Sequence, residues 1–163
     1  MPNHCYNRVT IYSSGNDTDE TRAQIAKIKA IFEDEEVFGQ IIPEPDWANT
    51  PLLTSDNRFG TKYGNDGELP QYVDCSVSGK KLVFKSTDIT DQRWYDWRLA
   101  NWDTKWDAYD LTVEDEDPDQ LEVTFNTAWS PPEAICNELR EQYPDLSVSW
   151  FYDEPGCEIA GYL

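Results

Sequence analysis

Hydrophobic and polar residues alternate in four stretches of the chain, at residues 8–12, 109–113, 121–125 and 146–152. A period of two is typical of a strand with one buried and one exposed face, because successive side chains point to opposite sides of a sheet. The second and third stretches are joined by a short acidic turn that contains Pro118, which predicts an antiparallel hairpin. The alternation therefore predicts four strands.

Apolar residues at helical spacing predict three helices. The first occupies residues 18–34 and follows a capping box that begins at Asp17. A short, aromatic-rich helix is predicted over residues 91–102. The third begins after a second capping box at Ser130 and ends before Pro144, because proline cannot continue a helix.

The region between the first two predicted helices is less regular. Residues 37–42 are predicted to form a short strand, and an irregular insertion with a hairpin at 72–85 follows at about 43–92. Outside the insertion the order of elements is βαββαβ. This is the order of an α+β, ferredoxin-like fold, in which a four-stranded antiparallel sheet carries two helices on one face. Residues 1–163 are predicted to form a single domain of this kind.

The composition supports a folded chain, since 39% of the residues are hydrophobic and 13% are aromatic. No stretch approaches the roughly 20 apolar residues that a membrane span requires, and the first residues lack the pattern of a signal peptide, so we expect a cytoplasmic protein. His4 is the single histidine, and the cysteines are scattered without a C-x-x-C pair, so we expect reduced thiols and no metal or cofactor. The cysteines are Cys5, Cys75, Cys136 and Cys157.

Negative charge is concentrated in the C-terminal third of the chain. The net charge is −19, and residues 106–163 hold 15 acids and one base, Arg140, whereas residues 1–105 hold 17 acids and 12 bases. Such a field repels nucleic acids and anionic membranes and attracts basic surfaces over about a Debye length. Direct nucleic-acid binding is therefore disfavoured, and a basic protein is the expected partner.

Five short segments resemble, in order along the chain, the YubB-type ferredoxin-like family of phages and plasmids. The resemblance implies a ferredoxin-like fold in a mobile genetic element, and it implies no activity, cofactor or catalytic residue. Two positions depart from the family pattern, because His4 stands where Trp is usual and Asp103 stands where Gly is usual. If that position needs a positive φ, Asp tolerates it better than most residues. The segments are MPNHCYNRVTI (1–11), IIPEP (41–45), NWDTKWD (101–107), FNTAWSPP (125–132) and EPG (154–156).

The NWDTKWD segment offers one candidate site. If the predicted hairpin pairs as expected, it places several indoles and polar groups near each other, and a Trp-lined pocket with polar ends could hold a small ligand or a sugar. The alternative, which we favour, is that these indoles anchor the core while the polar residues cap or pair locally. The candidate pocket residues are Asn101, Trp102, Lys105, Trp106, Asp107 and Trp129.

A second candidate is an acidic, partner-binding surface. Spaced carboxylates around the predicted hairpin could resemble the charge row of duplex DNA, which carries one charge per roughly 1.7 Å of axis. The alternative is a solvated face that keeps the protein soluble, perhaps in a salty host. The candidate residues are Glu114, Asp115, Glu116, Asp117, Asp119, Glu122, Glu138 and Glu141.

Other classes of function find little support. RNA-binding ferredoxin-like domains carry aromatic and basic residues on the open face of the sheet. The open face predicted here offers only small polar or acidic residues, so RNA recognition is rejected. No sequence pattern selects a catalytic pair of carboxylates, and His4 and Cys5, being adjacent on a strand, point to opposite faces. The predicted open-face residues are Thr112, Glu114, Glu122, Thr124, Asn126, Ser147 and Ser149.

We therefore predict a non-enzymatic, acidic accessory protein of a phage or mobile element that binds a basic host protein. A DNA mimic that inhibits host defence or transcription is the sharpest form of this prediction. The alternatives are a small-ligand or carbohydrate-binding module, or an uncharacterised enzyme, with a Trp-lined pocket, and a structural or oligomeric phage component.

Overall fold

The computed structural model describes residues 3–15, 18–47, 52–53, 75–78, 81–84 and 93–163. The chain forms two compact units, the first comprising residues 1–43 and 98–163 and the second residues 44–97. The predicted insertion overlaps the second unit, and the assignment of the whole chain to a single domain stays a prediction.

The first unit is built on one antiparallel sheet. Its strands are β1 (His4–Ser13), β5 (Tyr109–Asp117), β6 (Gln120–Ala128), β7 (Leu146–Glu154) and β8 (Ile159–Tyr162). They lie in the order β5-β6-β1-β7-β8, so the four predicted strands are confirmed. The prediction of a four-stranded sheet is wrong, because β8 adds a fifth strand by pairing with the second half of β7.

Four helices complete the described part of the chain, at α1 (Asp19–Phe32), α2 (Val37–Ile41), α3 (Arg93–Asn101) and α4 (Glu133–Gln142). The helix face of the central strands β1 and β6 is fully buried. The Phe125 ring on β6 lies at its centre, with ring centroids 5.9 Å from Phe32 and 5.6 Å from Trp150. The two predicted helices α1 and α4 thus share one face and leave the other face of the sheet open.

A buried amide links the three central strands. Asn7 on β1 is fully buried, and its Nδ2 donates to Oγ1 of Thr127 at 2.9 Å and to the carbonyl of Cys5 at 3.0 Å. Its Oδ1 accepts from Nε1 of Trp150 on β7 at 3.0 Å. A buried polar group costs little when its hydrogen bonds are made, so this network fixes the packing of the core at no large loss of stability.

Both helix starts differ from the prediction. Asp17 lies outside the described residues, and α1 is capped by Thr18, whose hydroxyl accepts from the Thr21 amide at 3.2 Å while Oγ1 of Thr21 accepts from the Thr18 amide at 3.0 Å. The predicted cap at Ser130 is wrong. Pro132 occupies the N-cap of α4 without a side-chain hydrogen bond, and Ser130 instead donates its hydroxyl proton to the carbonyl of Asp103.

The strand predicted at residues 37–42 is wrong, because this segment forms the helix α2. Val37, Phe38 and Ile41 are its buried residues, a spacing that one face of a helix accommodates. A short apolar run cannot be assigned to helix or strand by its pattern alone. Burial of the run against the core decides the outcome here.

The second unit contains a three-stranded antiparallel sheet. Its strands are β2 (Leu52–Leu53), β3 (Cys75–Ser78) and β4 (Lys81–Phe84), in the order β2-β4-β3. The pairing of β3 with β4 confirms the hairpin predicted at 72–85 and places it in a sheet of its own. No helix in the described ranges is both long enough and apolar enough to cross a membrane.

Candidate functional site

The structure assigns the first indole of the predicted Trp pocket to the core. Trp102 is 1% exposed, and its Nε1 donates to the carbonyl of Ile42 at 3.0 Å. One neighbour is Phe38, whose ring centroid lies 5.8 Å away, and the guanidinium of Arg98 lies 4.7 Å from the indole centroid. The alternative reading of Trp102 as a core anchor is therefore correct.

Asp107, another predicted pocket residue, holds the start of α2. Its carboxylate accepts from the Phe38 amide at 3.0 Å and from its neighbour Ala108 at 2.7 Å. Burial raises the pKa of Asp107 above its ordinary value of 3.8, and the hydrogen bonds from backbone amides and the nearby Arg98 oppose this rise. A carboxylate committed to two backbone segments serves the fold rather than a ligand.

Asp103 and Thr104, the two residues after Trp102, also form hydrogen bonds with backbone groups. Asp103 accepts from the Ala134 amide in the first turn of α4 at 2.8 Å, and its φ is 62°, a left-handed conformation that Asp tolerates better than most residues. Thr104 is fully buried, and its hydroxyl bonds to both the carbonyl and the amide of Ala128. Hydrogen bonds from the NWDTKWD segment thus connect α2, α4 and the end of β6.

The exposed members of the predicted pocket are Trp106, 38% exposed, and Trp129, 52% exposed. Nζ of Lys105 lies 4.2 Å from the centroid of the Trp106 ring, in a cation–π contact. Asn101 ends α3. The predicted residues therefore divide into a buried indole, Trp102, two surface indoles, and polar residues that are half-buried.

The EPG segment is structural as well. Glu154 is 3% exposed, and its carboxylate accepts from the Cys157 amide. A hydrogen bond with the Cys157 side chain lowers the pKa of Glu154, and smaller contributions come from the Cys157 and Gly156 amides and from Asn3. A Cβ at Gly156 would clash with the side chains of Asn3 and Glu154, which would have to move to make room for it.

Cys5, Cys136 and Cys157 each have a pKa above the ordinary value of a thiol. Burial raises the pKa of Cys5 and of Cys136 to about 11, and the neighbouring Glu154 carboxylate raises the pKa of the exposed Cys157. His4 is exposed whereas Cys5 is buried, so their predicted divergence is confirmed. Among the described residues no three His, Cys, Asp or Glu side chains group together as a metal site would need.

The acidic hairpin brings like charges together on the open face. In the β5–β6 register Glu114 lies directly opposite Glu122, and Asp117 lies opposite Gln120. The four residues line a shallow cleft of about 250 Å³. The only side-chain hydrogen bond to either glutamate in the described part of the chain is a long one, 3.5 Å, from Oγ1 of Thr10 to Glu122.

The remaining acidic candidates do not join this face. Asp119 forms a two-pronged ion pair with Arg22 on α1, at 2.7 Å and 3.0 Å, and the pKa of its carboxyl is lowered by this hydrogen-bonded partner. Glu138 and Glu141 lie on α4, which covers the opposite face of the sheet. The side chains of Asp115 and Glu116 lie outside the described part of the structure. The six described candidates are thus split, with Glu114, Asp117 and Glu122 on the open face and Asp119, Glu138 and Glu141 on the helix side.

Comparison with known proteins bears on the fold. Residues 100–163 match the model of a family described as a ferredoxin-like domain in Api92-like protein. Among solved structures, the chain is similar to the crystal structure of a protein api92 from Yersinia pseudotuberculosis, at 10% identity and a TM-score of 0.47, with 99% of this chain and 93% of that chain covered. No curated protein matches the chain. The matched part holds β5 to β8 and α4, and a ferredoxin-like α+β fold agrees with the observed sheet.

The open face of this ferredoxin-like sheet carries aromatic residues that the sequence prediction missed. Tyr6 and Tyr12 point outward from the central strand β1 and are 40% and 43% exposed. Arg8 lies between them with its guanidinium 5.5 Å from the Phe151 ring, and Tyr162 on β8 is 67% exposed beside Phe151. The signal was present in the sequence, because Val9 and Ile11 on the inner face place the even-numbered residues of β1 outside.

Proposed function

We propose that the protein is a non-enzymatic, acidic accessory protein that binds a basic protein partner through the open face of its sheet. One observation carries the proposal. Glu114 and Glu122 lie directly across from each other on neighbouring strands, and like charges in this position destabilise a sheet. The ion pairs of the described residues involve Arg22 and Lys29 and leave both glutamates out. A basic partner would remove the repulsion and turn it into attraction.

The overall charge supports the same partner. Residues 106–163 carry 15 acids against one base, and that base, Arg140, is bound to the carbonyls of Val148 and Leu163. An acidic field of this size speeds the approach of a basic surface and weakens as salt is added. The face that carries Glu114, Asp117 and Glu122 would then occupy a surface that otherwise binds phosphates.

The setting of this function follows from the family resemblance. Proteins of the YubB type belong to phages and plasmids, so the partner would be a nucleic-acid-binding protein in the cytoplasm of the host. Occupation of its basic surface would inhibit a host defence or transcription protein, as a DNA mimic does. Both the setting and the partner are part of the proposal.

The proposal is tested by capture and competition. The immobilised protein is exposed to host lysate at low and at high salt, and each captured protein is purified and assayed for DNA binding with and without this chain. We expect a basic partner that is captured at low salt, is released at high salt and loses its DNA binding when this chain is present.

A matched pair of variants makes the test specific. Glu114→Lys with Glu122→Lys reverses two charges on the open face, and Glu138→Lys with Glu141→Lys reverses two on α4. Only the first pair should abolish capture. Capture that survives the first pair, or an absence of any basic partner, contradicts the proposal.

A second candidate is a small-ligand site at the surface indoles. Trp106 and Trp129 are exposed to a degree that is unusual for Trp, and the 2.5 Å contact between Nδ1 of His4 and the hydroxyl of Tyr109 adds polar groups beside Trp106. Indole faces stack on sugar rings. A change in Trp fluorescence on addition of a saccharide, insensitive to salt and absent in Trp129→Ala, would favour this function over the first.

A further inference from the structure

We infer that the open face of the sheet recognises arginine side chains presented by an extended, basic segment of the partner. This inference rests on the proposed function and makes it specific, because it names the chemical group that is bound. The surface, called here the tyrosine face, consists of Tyr6, Arg8, Thr10 and Tyr12 on β1 with their outward-facing neighbours on the adjacent strands.

The register of the sheet places an aromatic ring at each end of the tyrosine face. Tyr6 and Tyr12 are six residues apart on one strand, which separates them by roughly 20 Å. Both rings are about two-fifths exposed, so one side of each is accessible from solvent. Phe151 and Tyr162, with ring centroids 5.4 Å apart, extend the aromatic surface toward β8.

Carboxylates flank both tyrosines. Asp153 on β7 lies directly opposite Tyr6, and Gln120, directly opposite Tyr12, is followed on the same face of β6 by Glu122. Glu122 in turn lies opposite Glu114. Side chains directly opposite each other on a sheet, such as Tyr6 and Asp153, have Cβ atoms about 5 Å apart, and diagonal neighbours, such as Tyr12 and Glu122, are about 7–8 Å apart. The long guanidinium side chain of an arginine stacked on either ring could span both distances.

This combination selects for arginine. A guanidinium is planar and stacks on an aromatic ring, and its fork of N–H donors binds a carboxylate at the same time. A nucleobase would stack in the same way, but its phosphates would meet the carboxylates of Glu114, Glu122 and Asp153. A lysine ammonium would also pair with the carboxylates, but it is not planar and would not stack on the ring.

The spacing of the sheet also fits an extended segment. Outward-facing residues on one strand repeat every two residues, about 7 Å, and alternate residues of an extended peptide project from one side at the same interval. A second copy of this chain is a poor occupant, since the same carboxylates would then face each other across the interface. Arg8, which is engaged with Phe151, is the one base on the tyrosine face.

The test uses three fluorescently labelled probes at fixed, low salt. The first is a peptide of six Arg-Ser repeats, the second replaces each Arg by Lys, and the third is a single-stranded oligonucleotide of similar length. We expect the Arg peptide to bind several-fold more tightly than the Lys peptide and the oligonucleotide not to bind.

Variants of the intact protein separate stacking from charge. Tyr6→Leu with Tyr12→Leu keeps apolar side chains on β1 and removes the rings, and we expect it to weaken binding of the Arg peptide by about tenfold. Tyr6→Phe with Tyr12→Phe keeps the rings and should retain the affinity. Glu114→Gln with Glu122→Gln should also weaken binding of the Arg peptide by about tenfold. Glu138→Gln with Glu141→Gln on α4 should leave this binding unchanged. Circular dichroism and thermal melting confirm that each variant is folded.

The outcomes distinguish this inference from the proposed function. If the Arg and Lys peptides bind equally and the Leu variant has no effect, the arginine inference is wrong while charge-driven binding of a basic partner stands. If the Gln variants on both faces weaken the peptides equally, the tyrosine face is not the site. If no basic probe binds, or if the oligonucleotide binds, both the inference and the proposed function fail.

Discussion

The two faces of the five-stranded sheet satisfy their polar groups in opposite ways. On the helix-covered face, Asn7 makes hydrogen bonds with Thr127 and Trp150, and the carboxylate of Asp107 is held by backbone amides. On the open face, Glu114 and Glu122 oppose each other, and neither takes part in an ion pair among the described residues. The polar groups of the covered face are mostly paired within this chain, whereas the opposed glutamates of the open face are the feature on which the proposed partner rests.

This difference teaches where function should be sought. The segments that first stand out in the sequence, NWDTKWD and EPG, supply anchors and backbone caps, so their recognisable pattern reports on the fold. The tyrosines of the open face are exposed, and in the proposed function they and the glutamates would contact a partner. Substitutions on the two faces should therefore affect different measurements.

The largest effect is expected from Trp102→Ala on the covered side. Removal of a fully buried indole leaves a cavity and an unpaired carbonyl at Ile42, which should lower the free energy of unfolding by about 3–5 kcal/mol. Urea denaturation followed by circular dichroism measures the change. Trp129→Ala, at a side chain that is 52% exposed, should cost less than about 1 kcal/mol. Equal losses would contradict the division into anchors and surface indoles.

A smaller effect is expected at Asp103, where two contributions can be separated. Asp103→Ala removes the hydrogen bond to the Ala134 amide and places alanine at a φ of 62°, which should cost about 1–2 kcal/mol. Asp103→Gly loses the same hydrogen bond but adopts a positive φ freely, so it should cost less. Urea midpoints in the order wild type, Gly, Ala are the expected result. Because both variants lose the same hydrogen bond, a glycine variant less stable than the alanine variant would show that the positive φ, and not the cap, is misassigned.

The sequence was informative about the fold wherever burial has a period. Val9 and Ile11 identified β1, and the alternation in β5 and β6 identified their hairpin. Two elements, α2 and β8, were not predicted correctly because their sequence patterns are weak. The α2 segment is an apolar run too short to show a helical period, and β8 is mostly exposed, so it owes its place to pairing with β7 and shows no hydrophobic alternation of its own.

The site was less predictable, because it depends on pairs distant in sequence. Arg22 neutralises Asp119 across 97 positions, and no local pattern indicates which of many acids meets a base. The opposition of Glu114 and Glu122 needed the register of the hairpin. Tyr6 and Tyr12 were within reach of the sequence, since the phase of β1 already placed them on the open face.

The pH dependence of stability tests how complete the covered face is. Burial raises the pKa of Asp107 in the folded state above its ordinary value of 3.8, so between these two values the native protein binds more protons than the unfolded chain. Stability contributed by this group is therefore lost as pH rises through that window. We expect the stability of wild type relative to Asp107→Asn to be greater near pH 4 than at pH 7, as measured by urea denaturation. An advantage that grows with pH would mean that the amides of Phe38 and Ala108 hold the charged form.

The smallest effect is expected from Glu114→Lys on the open face. It is also the most direct test of the difference between the two faces of the sheet. This change converts a like-charge pair with Glu122 into an opposite-charge pair, and it should stabilise the isolated protein by about 0.5 kcal/mol. The gain should shrink in high salt, because the pair is exposed. Thermal melting at two salt concentrations measures it, with Glu138→Lys on α4 as the control. If Glu114→Lys stabilises the fold and weakens binding of the basic partner, Glu114 contributes to binding at a cost in stability. Such a cost is expected of a binding residue. If Glu114→Lys destabilises the protein, the glutamate has a role in the sheet itself, and the open face is less dependent on a partner than its register indicates.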